Sequence, residues 1–222
     1  MRFLPAADTI KVKNSKKRKE NVMLNPVHKR AGQITGQRPQ IEAQGKFVGR
    51  DGRAVSIRVA TPDDKEKLRR MFSRLSSKSI YRRFHHPYQR VPEQMLNLML
   101  NMDHHDKESL VALAKEEIVG HAMYVKLADS GDAEVAFVVE DEWQSKGVGK
   151  LLLSEIAEKA RRRDVETFTG QVLGENRRVV GLLNAVFAEV EYVISHGLYH
   201  FCVPLRTLKL KVQWVQNLRH AA

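Results

Sequence analysis

The sequence is poor in cysteine, because Cys202 is the only one among 222 residues. A lone cysteine excludes a disulfide within the chain and a metal site built from several cysteines. Cys202 stands in an apolar stretch, which favours a packed thiol over a nucleophile. This cysteine usage is typical of a reducing compartment, and we expect a cytoplasmic protein.

Long apolar runs are also missing. No run approaches the roughly 20 residues that cross a bilayer as a helix, so we expect no membrane partner. The N-terminus lacks an apolar core followed by small residues, the pattern of a secretory signal, and we do not expect secretion. Hydrophobic residues nevertheless make up 42% of the chain, enough for one substantial core.

Charge is unevenly distributed along the chain. The formal net charge is +12, and residues 1–53 hold 13 of the 38 Lys and Arg residues but only 4 of the 26 Asp and Glu residues. This segment includes the run Lys16-Lys17-Arg18-Lys19. We interpret residues 1–50 as a basic, disordered arm, and we expect any contact with nucleic acid to be made through this arm alone.

The remaining chain alternates between strand and helix patterns. Apolar periodicity and turn signals predict, in order, strand 55–60, helices 61–75, 76–84 and 92–101, strands 110–114, 118–126 and 133–139, helix 147–163, strand 167–172, helix 176–188, and strands 190–195 and 200–203. This order predicts an α/β (α+β) chain with a mixed sheet. We expect one domain over residues 51–205 and a C-terminal extension over residues 206–222.

The segment Ala133–Leu153 is the most informative. It reads as a buried strand, a short acidic turn, the loop Gln144-Ser145-Lys146-Gly147-Val148-Gly149, and an amphipathic helix. Glycines at a strand-to-helix junction let a ligand approach the backbone and leave N–H groups free. Together with the positive end of the helix dipole, these N–H groups predict an anion site suited to phosphate.

The loop departs from two common phosphate loops. It lacks the G-x-x-x-x-G-K-[ST] pattern of nucleotide hydrolases and the third glycine of a dinucleotide fingerprint. It resembles instead the Q/R-x-x-G-x-G/A loop of the GNAT superfamily of N-acetyltransferases, and the resemblance extends over roughly residues 51–205. It implies a GNAT-type mixed, mainly antiparallel sheet flanked by helices, and acetyl-CoA as co-substrate with no metal.

The resemblance also implies a set of cofactor-binding residues. Backbone groups of one strand would contact the pantetheine arm, amides of the loop would hold the pyrophosphate, and an asparagine at the start of the next helix would contact the cofactor. In this sequence the strand residues are Phe137, Val138 and Val139; the loop residues are Gln144, Ser145, Lys146, Gly147, Val148, Gly149 and Lys150; and the asparagine is Asn176.

A narrower resemblance concerns the acetyltransferase domain of bacterial protein lysine acetyltransferases. The opening Ser56–Asp64 is similar to that of the family, and Leu75–Phe84 resembles its LSxxSxYxRF signature. The strand Ala133–Phe137 resembles its glutamate strand. This resemblance implies a protein lysine as the acceptor. A small amine or polyamine acceptor, a non-catalytic acyl-CoA sensor and a nucleic-acid-associated module stay open as alternatives.

Glu134 is the candidate general base. A lysine amine has a pKa of about 10.4, so it is protonated at neutral pH and needs a base before it can attack a thioester. The other interpretations of Glu134 are a carboxylate that binds the acceptor without taking its proton, and a solvent-facing strand residue. Asn184–Phe187 offers no tyrosine that could act as a general acid.

Other clusters favour structural roles. Two pairs of adjacent histidines could suggest a metal site: His85-His86, and His104-His105 with Asp103 and Asp106 nearby. Neither pair has the i, i+4 spacing of histidines that bind a metal from one helix, so we expect no metal. In Ile80–Phe84, helical spacing predicts that Ile80 and Phe84 face the core and that both arginines face solvent.

Overall fold

The computed structural model describes residues 52–128 and 130–208, and the backbone of 11–12 and 44–48. Its strands are β1 (Lys11–Val12), β2 (Gln44–Val48), β3 (Ala54–Val59), β4 (Lys107–Ala114), β5 (Glu117–Lys126), β6 (Asp132–Val139), β7 (Thr167–Leu173), β8 (Glu191–Ser195) and β9 (Leu198–Pro204). Its helices are α1 (Lys65–Ser73), α2 (Ser77–Phe84), α3 (Glu93–Leu100), α4 (Val148–Arg161) and α5 (Arg177–Val186).

From Ala54 onward the elements follow the predicted order. The first predicted helix begins with a short 3₁₀ turn, Pro62–Asp64, which leads into α1. Thr61 and Asp64 cap that turn reciprocally, since the side chain of each accepts a hydrogen bond from the backbone of the other. The cap explains why the helix starts where the sequence pattern predicts.

The strands form one sheet in the order β1-β8-β9-β7-β6-β5-β4-β3-β2. Every neighbouring pair is antiparallel except β6 and β7, which are parallel. Parallel neighbours need a crossover connection, and α4 supplies it. The predicted fold class, a mixed and mainly antiparallel sheet flanked by helices, is confirmed.

Two strands fall within the segment predicted to be an arm. Gln44–Val48 pairs with β3, and Lys11–Val12 pairs with β8. The rest of residues 1–50, the basic run included, lies outside the described residues, as do residues 209–222. The predicted boundaries at residues 50 and 205 therefore stay predictions.

The parallel pair β6–β7 is short. Its register covers only Asp132–Glu134 opposite Thr167–Thr169, although both strands continue. Over the rest of its length β6 stays paired with β5, up to Val139 opposite Gly120. One edge of β6 is therefore not paired to a strand beyond Glu134, and the sheet opens there into a wedge.

Two apolar clusters cover the two faces of the sheet. Helix α4 packs on one face through buried residues that include Leu151, Leu152 and Ile156. Helices α1, α2 and α3 pack on the other face. At Gly120 of β5, an added Cβ would lie 2.9 Å from Leu152 Cδ1 and 3.3 Å from Val138 O, so the glycine permits the close approach of α4.

We expect Leu152→Ala to lower the free energy of unfolding by about 2–5 kcal/mol, because it leaves a cavity in a packed core. Leu152 is 0% exposed, whereas Leu98 on α3 is 61% exposed. Leu98→Ala is the matched control and should change stability by roughly 0.5 kcal/mol or less. Urea unfolding followed by circular dichroism measures both, and equal losses would contradict this packing.

Candidate active site

A cavity of about 590 Å³ lies where α2, the free edge of β6, the start of α4 and α5 meet. Its volume is within the range of small-molecule and cofactor sites. The lining residues are Ser79, Arg82, Arg83, Phe137, Val138, Val139, Gln144, Ser145, Lys146, Gly147, Gly149, Lys150, Asn176, Arg178, Val179, Gly181, Leu182 and Ala185.

The cavity brings together ten of the eleven residues predicted to bind the cofactor. The exception is Val148, which is fully buried and packs in the α4 core. Asn176 lines the cavity at the N-terminal end of α5 and is 6% exposed. The sequence prediction grouped residues that the fold does place around one space; their roles as ligand contacts stay predictions.

The loop before α4 has the geometry of an anion site. Ser145 has φ +63° and Gly147 has φ +101°, so the backbone passes through two left-handed positions before the helix begins. Gly147 is the N-cap, and the first amides of α4 have no carbonyl partner within the helix. Lys146 and Lys150 also line the cavity, so cationic side chains and helix dipole act in the same direction.

The backbone of β6 presents alternate groups to the wedge. Glu140 N donates to Val119 O at 2.9 Å, and the antiparallel register makes Val138 and His121 the next hydrogen-bonded pair. Phe137 and Val139 therefore point their N–H and C=O groups away from β5, toward the cavity. This alternation favours Phe137 and Val139 over Val138 as backbone contacts for a ligand.

Gln144 ties the elements around the cavity together. Its amide nitrogen lies 3.0 Å from Val139 O, 3.2 Å from Ser79 Oγ and 3.3 Å from an Asp141 carboxylate oxygen. Its amide oxygen accepts a hydrogen bond from Arg178 Nη1 at 2.6 Å. The side chain thus joins the end of β6 to both α2 and α5, which is a structural reason for a glutamine at this position.

Asp141 fastens α2 to the same loop. Its carboxylate accepts hydrogen bonds from Ser76 N at 2.8 Å, Ser76 Oγ at 3.1 Å and Ser79 Oγ at 2.7 Å. Partial desolvation raises the pKa of Asp141, but the hydrogen bonds from Ser76 and Ser79 outweigh it and hold the pKa below its usual value. The N-terminal end of α2 therefore depends on an ionised Asp141.

Glu134 lies outside the cavity lining, at the point where β6 and β7 separate. It is exposed and stands between Val125 on β5 and Thr169 on β7. Its neighbours Ala133 and Val135 are buried in the α4 cluster, so Glu134 lies on the opposite face, where α2 packs. The negative charge of Glu134 acts on the pKa of Arg83, so the two side chains are within electrostatic range.

The prediction that Arg82 and Arg83 face solvent is wrong. Both are half-buried, both line the cavity, and the Nε atom of each is buried. Ser79, Arg82 and Arg83 have i, i+3, i+4 spacing, which places them on one helix face, and this signal could have identified them. Ile80 is buried as predicted, and Phe84 stacks against Phe72 with ring centroids 5.5 Å apart.

Helix α5 contributes residues that the sequence analysis did not single out. Arg178, Val179, Leu182 and Ala185 line the cavity wall facing the loop. Their spacing covers one side of the helix, but an amphipathic stripe of this kind is more often core than ligand site. Only the position of α5 in the folded protein shows that this stripe lines the cavity.

The histidine pairs have local partners. His104 Nδ1 lies 2.9 Å from a Glu108 carboxylate oxygen, and His105 Nδ1 lies 2.8 Å from an Asp106 carboxylate oxygen. His85 ends α2 in a left-handed conformation with φ +52°. Among the described residues, no group of three or more His, Cys, Asp or Glu residues could hold a metal ion. None of the described helices is both long and apolar enough to span a membrane.

Known proteins share both sequence and fold with this chain. The model described as Acetyltransferase (GNAT) family matches residues 69–186. An acetyltransferase of Pseudomonas aeruginosa is 28% identical over 116 residues, 50% of this chain and 62% of the relative. Acetyltransferase Pat of Mycolicibacterium smegmatis is 28% identical over 144 residues, 62% of this chain and 43% of the relative. The chain thus spans about half the length of these curated relatives.

Solved structures show the same architecture. The GNAT domain of S. lividans PAT has a TM-score of 0.67 and 28% identity, over 72% of this chain and 96% of that chain. A Salmonella typhimurium structure solved with its cofactor acetyl-CoA has a TM-score of 0.56 at 16% identity, over 69% of this chain and 95% of that chain. At that identity the second likeness concerns the fold alone.

We expect stability to depend on pH through Asp141. Its lowered pKa stabilises the fold above the unfolded value of about 3.9, and this contribution is lost as the pH falls through the folded value. Between pH 5 and pH 3 the wild type should therefore lose more stability than Asp141→Asn, which has no carboxylate to protonate. Ser79→Ala, which removes one of the donors, should lie between them. Urea unfolding measures the free energy of unfolding at each pH. An equal loss in all three proteins would contradict the assignment of this pH dependence to Asp141.

Proposed function

This chain belongs to the GNAT acetyltransferase family, and from that premise we propose that it transfers the acetyl group of acetyl-CoA to the ε-amine of a protein lysine. The observation that carries the proposal is the cavity bounded both by the loop before α4 and by the free edge of β6. The loop side of this cavity suits phosphate, and Arg83 in its lining is within electrostatic range of Glu134.

The residues present fit coenzyme A. The amides at the start of α4, with Lys146 and Lys150, would bind the pyrophosphate. The backbone groups of Phe137 and Val139 would hydrogen-bond the amides of the pantetheine arm in the manner of an added strand. The apolar side of α5, with Val179, Leu182 and Ala185, would cover the arm. Bound in this way, acetyl-CoA supplies the thioester that the amine attacks.

Glu134 would act as the general base. A lysine ammonium approaching the wedge meets this carboxylate before the thioester, since Glu134 is exposed at the mouth of the opening between β6 and β7. The carboxylate would accept the proton, directly or through one water, and release a nucleophilic amine. A backbone N–H of the free β6 edge would then stabilise the negative charge that develops on the carbonyl oxygen.

A macromolecular acceptor is supported by the surroundings of Glu134. The register places Thr169, Cys202 and Glu191 successively beside it across β7, β9 and β8, on one face of the sheet. Glu191 is exposed, and Thr169 and Cys202 are partly exposed, so a peptide segment could lie along this face. The likeness to the GNAT domain of S. lividans PAT and to acetyltransferase Pat gives further support.

Glu134→Gln tests the proposed base. We expect acetyl transfer to fall about a hundredfold or more, because the amide keeps the shape but cannot take the proton. Release of free thiol from acetyl-CoA and acetyl-lysine mass spectrometry of a treated lysate measure the effect. Glu189→Gln is the control, since it removes an exposed carboxylate that lies outside the cavity lining.

The outcomes separate the candidate functions. Acetylated lysines that appear with wild type and Glu189→Gln but not with Glu134→Gln would support the proposal. Thiol release with small amines or polyamines, but not with proteins, would show that the acceptor is a small amine or polyamine. Binding of acetyl-CoA without thiol release for any amine would favour a sensor, and unchanged turnover in Glu134→Gln would reject Glu134 as the base.

We expect Gly147→Ala to weaken coenzyme A binding by about tenfold, because a Cβ at φ +101° costs roughly 1–2 kcal/mol and disturbs the loop amides. Gly52→Ala is the matched control, since Gly52 also has a positive φ of +78° but lies outside the cavity lining. It should cost stability without changing affinity. Isothermal titration calorimetry with coenzyme A distinguishes the two, and equal affinities would contradict the proposed phosphate loop.

A further inference from the structure

Arg83 is a cation in the cavity wall whose guanidinium has no anionic partner within the described part of the chain. Its Nε is buried without a hydrogen bond, and no ion pair involves Arg83 among residues 52–128 and 130–208. The guanidinium lies 5.0 Å from the centre of the Phe84 ring, a contact that orients it but leaves its N–H donors unused. Burying a guanidinium in this way is costly unless an anion joins it.

Arg83 lines the part of the cavity wall that α2 contributes, within electrostatic range of Glu134. Alongside burial, the charge of Arg83 lowers the pKa of His121 and of His85, and the charge of Glu134 opposes the lowering of the Arg83 pKa by burial, so these three groups lie near the guanidinium. His121 pairs with Val138 across β5 and β6, and residues 137–139 line the same cavity as Arg83, so Arg83 is near this part of β6. The phosphate end, at the start of α4, already has Lys146 and Lys150. Arg83 therefore serves a different part of the ligand.

Arg83 keeps its positive charge at neutral pH. Burial lowers the pKa of its guanidinium to about 10, and the negative charge of Glu134 opposes this. His121 offers no compensating charge, because burial, followed by the charge of Arg83, lowers the pKa of its imidazole to about 3. No ion pair joins Arg83 and Glu134, so Glu134 stays available as a base and the guanidinium fork stays available to a ligand.

The neighbouring arginine shows the contrast. Arg82 also lines the cavity, but its Nη2 lies 3.6 Å from a Glu175 carboxylate oxygen at the turn before α5. Arg82 thus has an anionic partner in the protein, whereas Arg83 has none among the described residues. The planar, forked donor set of a guanidinium matches the two oxygens of a carboxylate.

We propose that Arg83 binds a carboxylate at the far end of the acyl group, so that the enzyme also transfers acyl groups of the malonyl or succinyl class from their coenzyme A thioesters. This inference rests on the proposed function. The chemistry is that of acetyl transfer: Glu134 takes one proton from the ammonium, the amine nitrogen bonds to the thioester carbon, and the carbon–sulfur bond breaks. Coenzyme A leaves as the thiol, its thiolate taking the second proton that the nitrogen loses as the amide forms.

The first test uses the wild-type protein. Succinyl-CoA is compared with 4-methylpentanoyl-CoA, in which an isopropyl group replaces the carboxylate at nearly equal size. Calorimetry measures binding, and thiol release with a lysine-containing acceptor measures turnover. We expect succinyl-CoA to bind on the order of ten- to a hundredfold more tightly, as a charge-assisted hydrogen bond predicts.

Variants then assign the effect to Arg83. Arg83→Gln should abolish the preference for succinyl-CoA over 4-methylpentanoyl-CoA, and Arg83→Lys should retain part of it because the charge stays but the fork is lost. Arg82→Gln is the matched control: whatever it does to overall affinity, the ratio between the two thioesters should keep its wild-type value. Thermal unfolding checks that each variant is folded.

The outcomes are decisive in both directions. A preference in wild type that disappears in Arg83→Gln and persists in Arg82→Gln supports the proposal. Equal binding of the two thioesters in wild type, or a ratio that Arg83→Gln leaves unchanged, overturns it. So does a result in which Arg83→Gln instead impairs acceptors that carry a free carboxylate. Failure of the proposed function itself appears separately, as absent thiol release from acetyl-CoA with every amine.

Discussion

The wedge between β6 and β7 is the feature on which the rest of the site depends. Backbone N–H and C=O groups inside a protein need hydrogen-bond partners, and β6 loses its strand partner on one side after Glu134. The exposed edge is therefore a template for a ligand with amide groups. The parallel pairing that precedes the wedge requires a crossover, and that crossover, α4, begins with the glycine loop. The separation of the strands and the position of the glycine loop beside it are two consequences of one topology.

Side chains around the wedge connect stability to ligand binding. Gln144 bonds to Val139, Ser79, Asp141 and Arg178, and so holds β6, α2 and α5 at fixed distances. Asp141 in turn orders the first turn of α2, the helix that carries Arg82 and Arg83 into the cavity wall. Hydrogen bonds from one loop thus position cations that lie one to two helical turns further along α2.

Much of this arrangement could be predicted from the sequence, since it depends on local patterns. The periodicity of Val148–Arg161 and the glycines before it predicted the helix correctly, and ten of the eleven residues predicted to bind the cofactor line one cavity. Arg82 and Arg83 were assigned to solvent because Ile80 and Phe84 define the core face of α2. A short helix in a cleft has a second, ligand-facing side, and periodicity alone cannot distinguish that side from a solvated one.

The sequence by itself determined the order of elements, the loop chemistry and the position of Glu134 on its strand, because each depends on residues close together in the chain. Only the tertiary structure decided that Val148 belongs to the core and that Phe137 and Val139 present their backbone to the cavity. It also decided that Arg83 lines this cavity within electrostatic range of Glu134, with no ion-pair partner among the described residues. These properties arise from sheet register and helix docking, which bring together residues some fifty positions apart, and no local pattern encodes them.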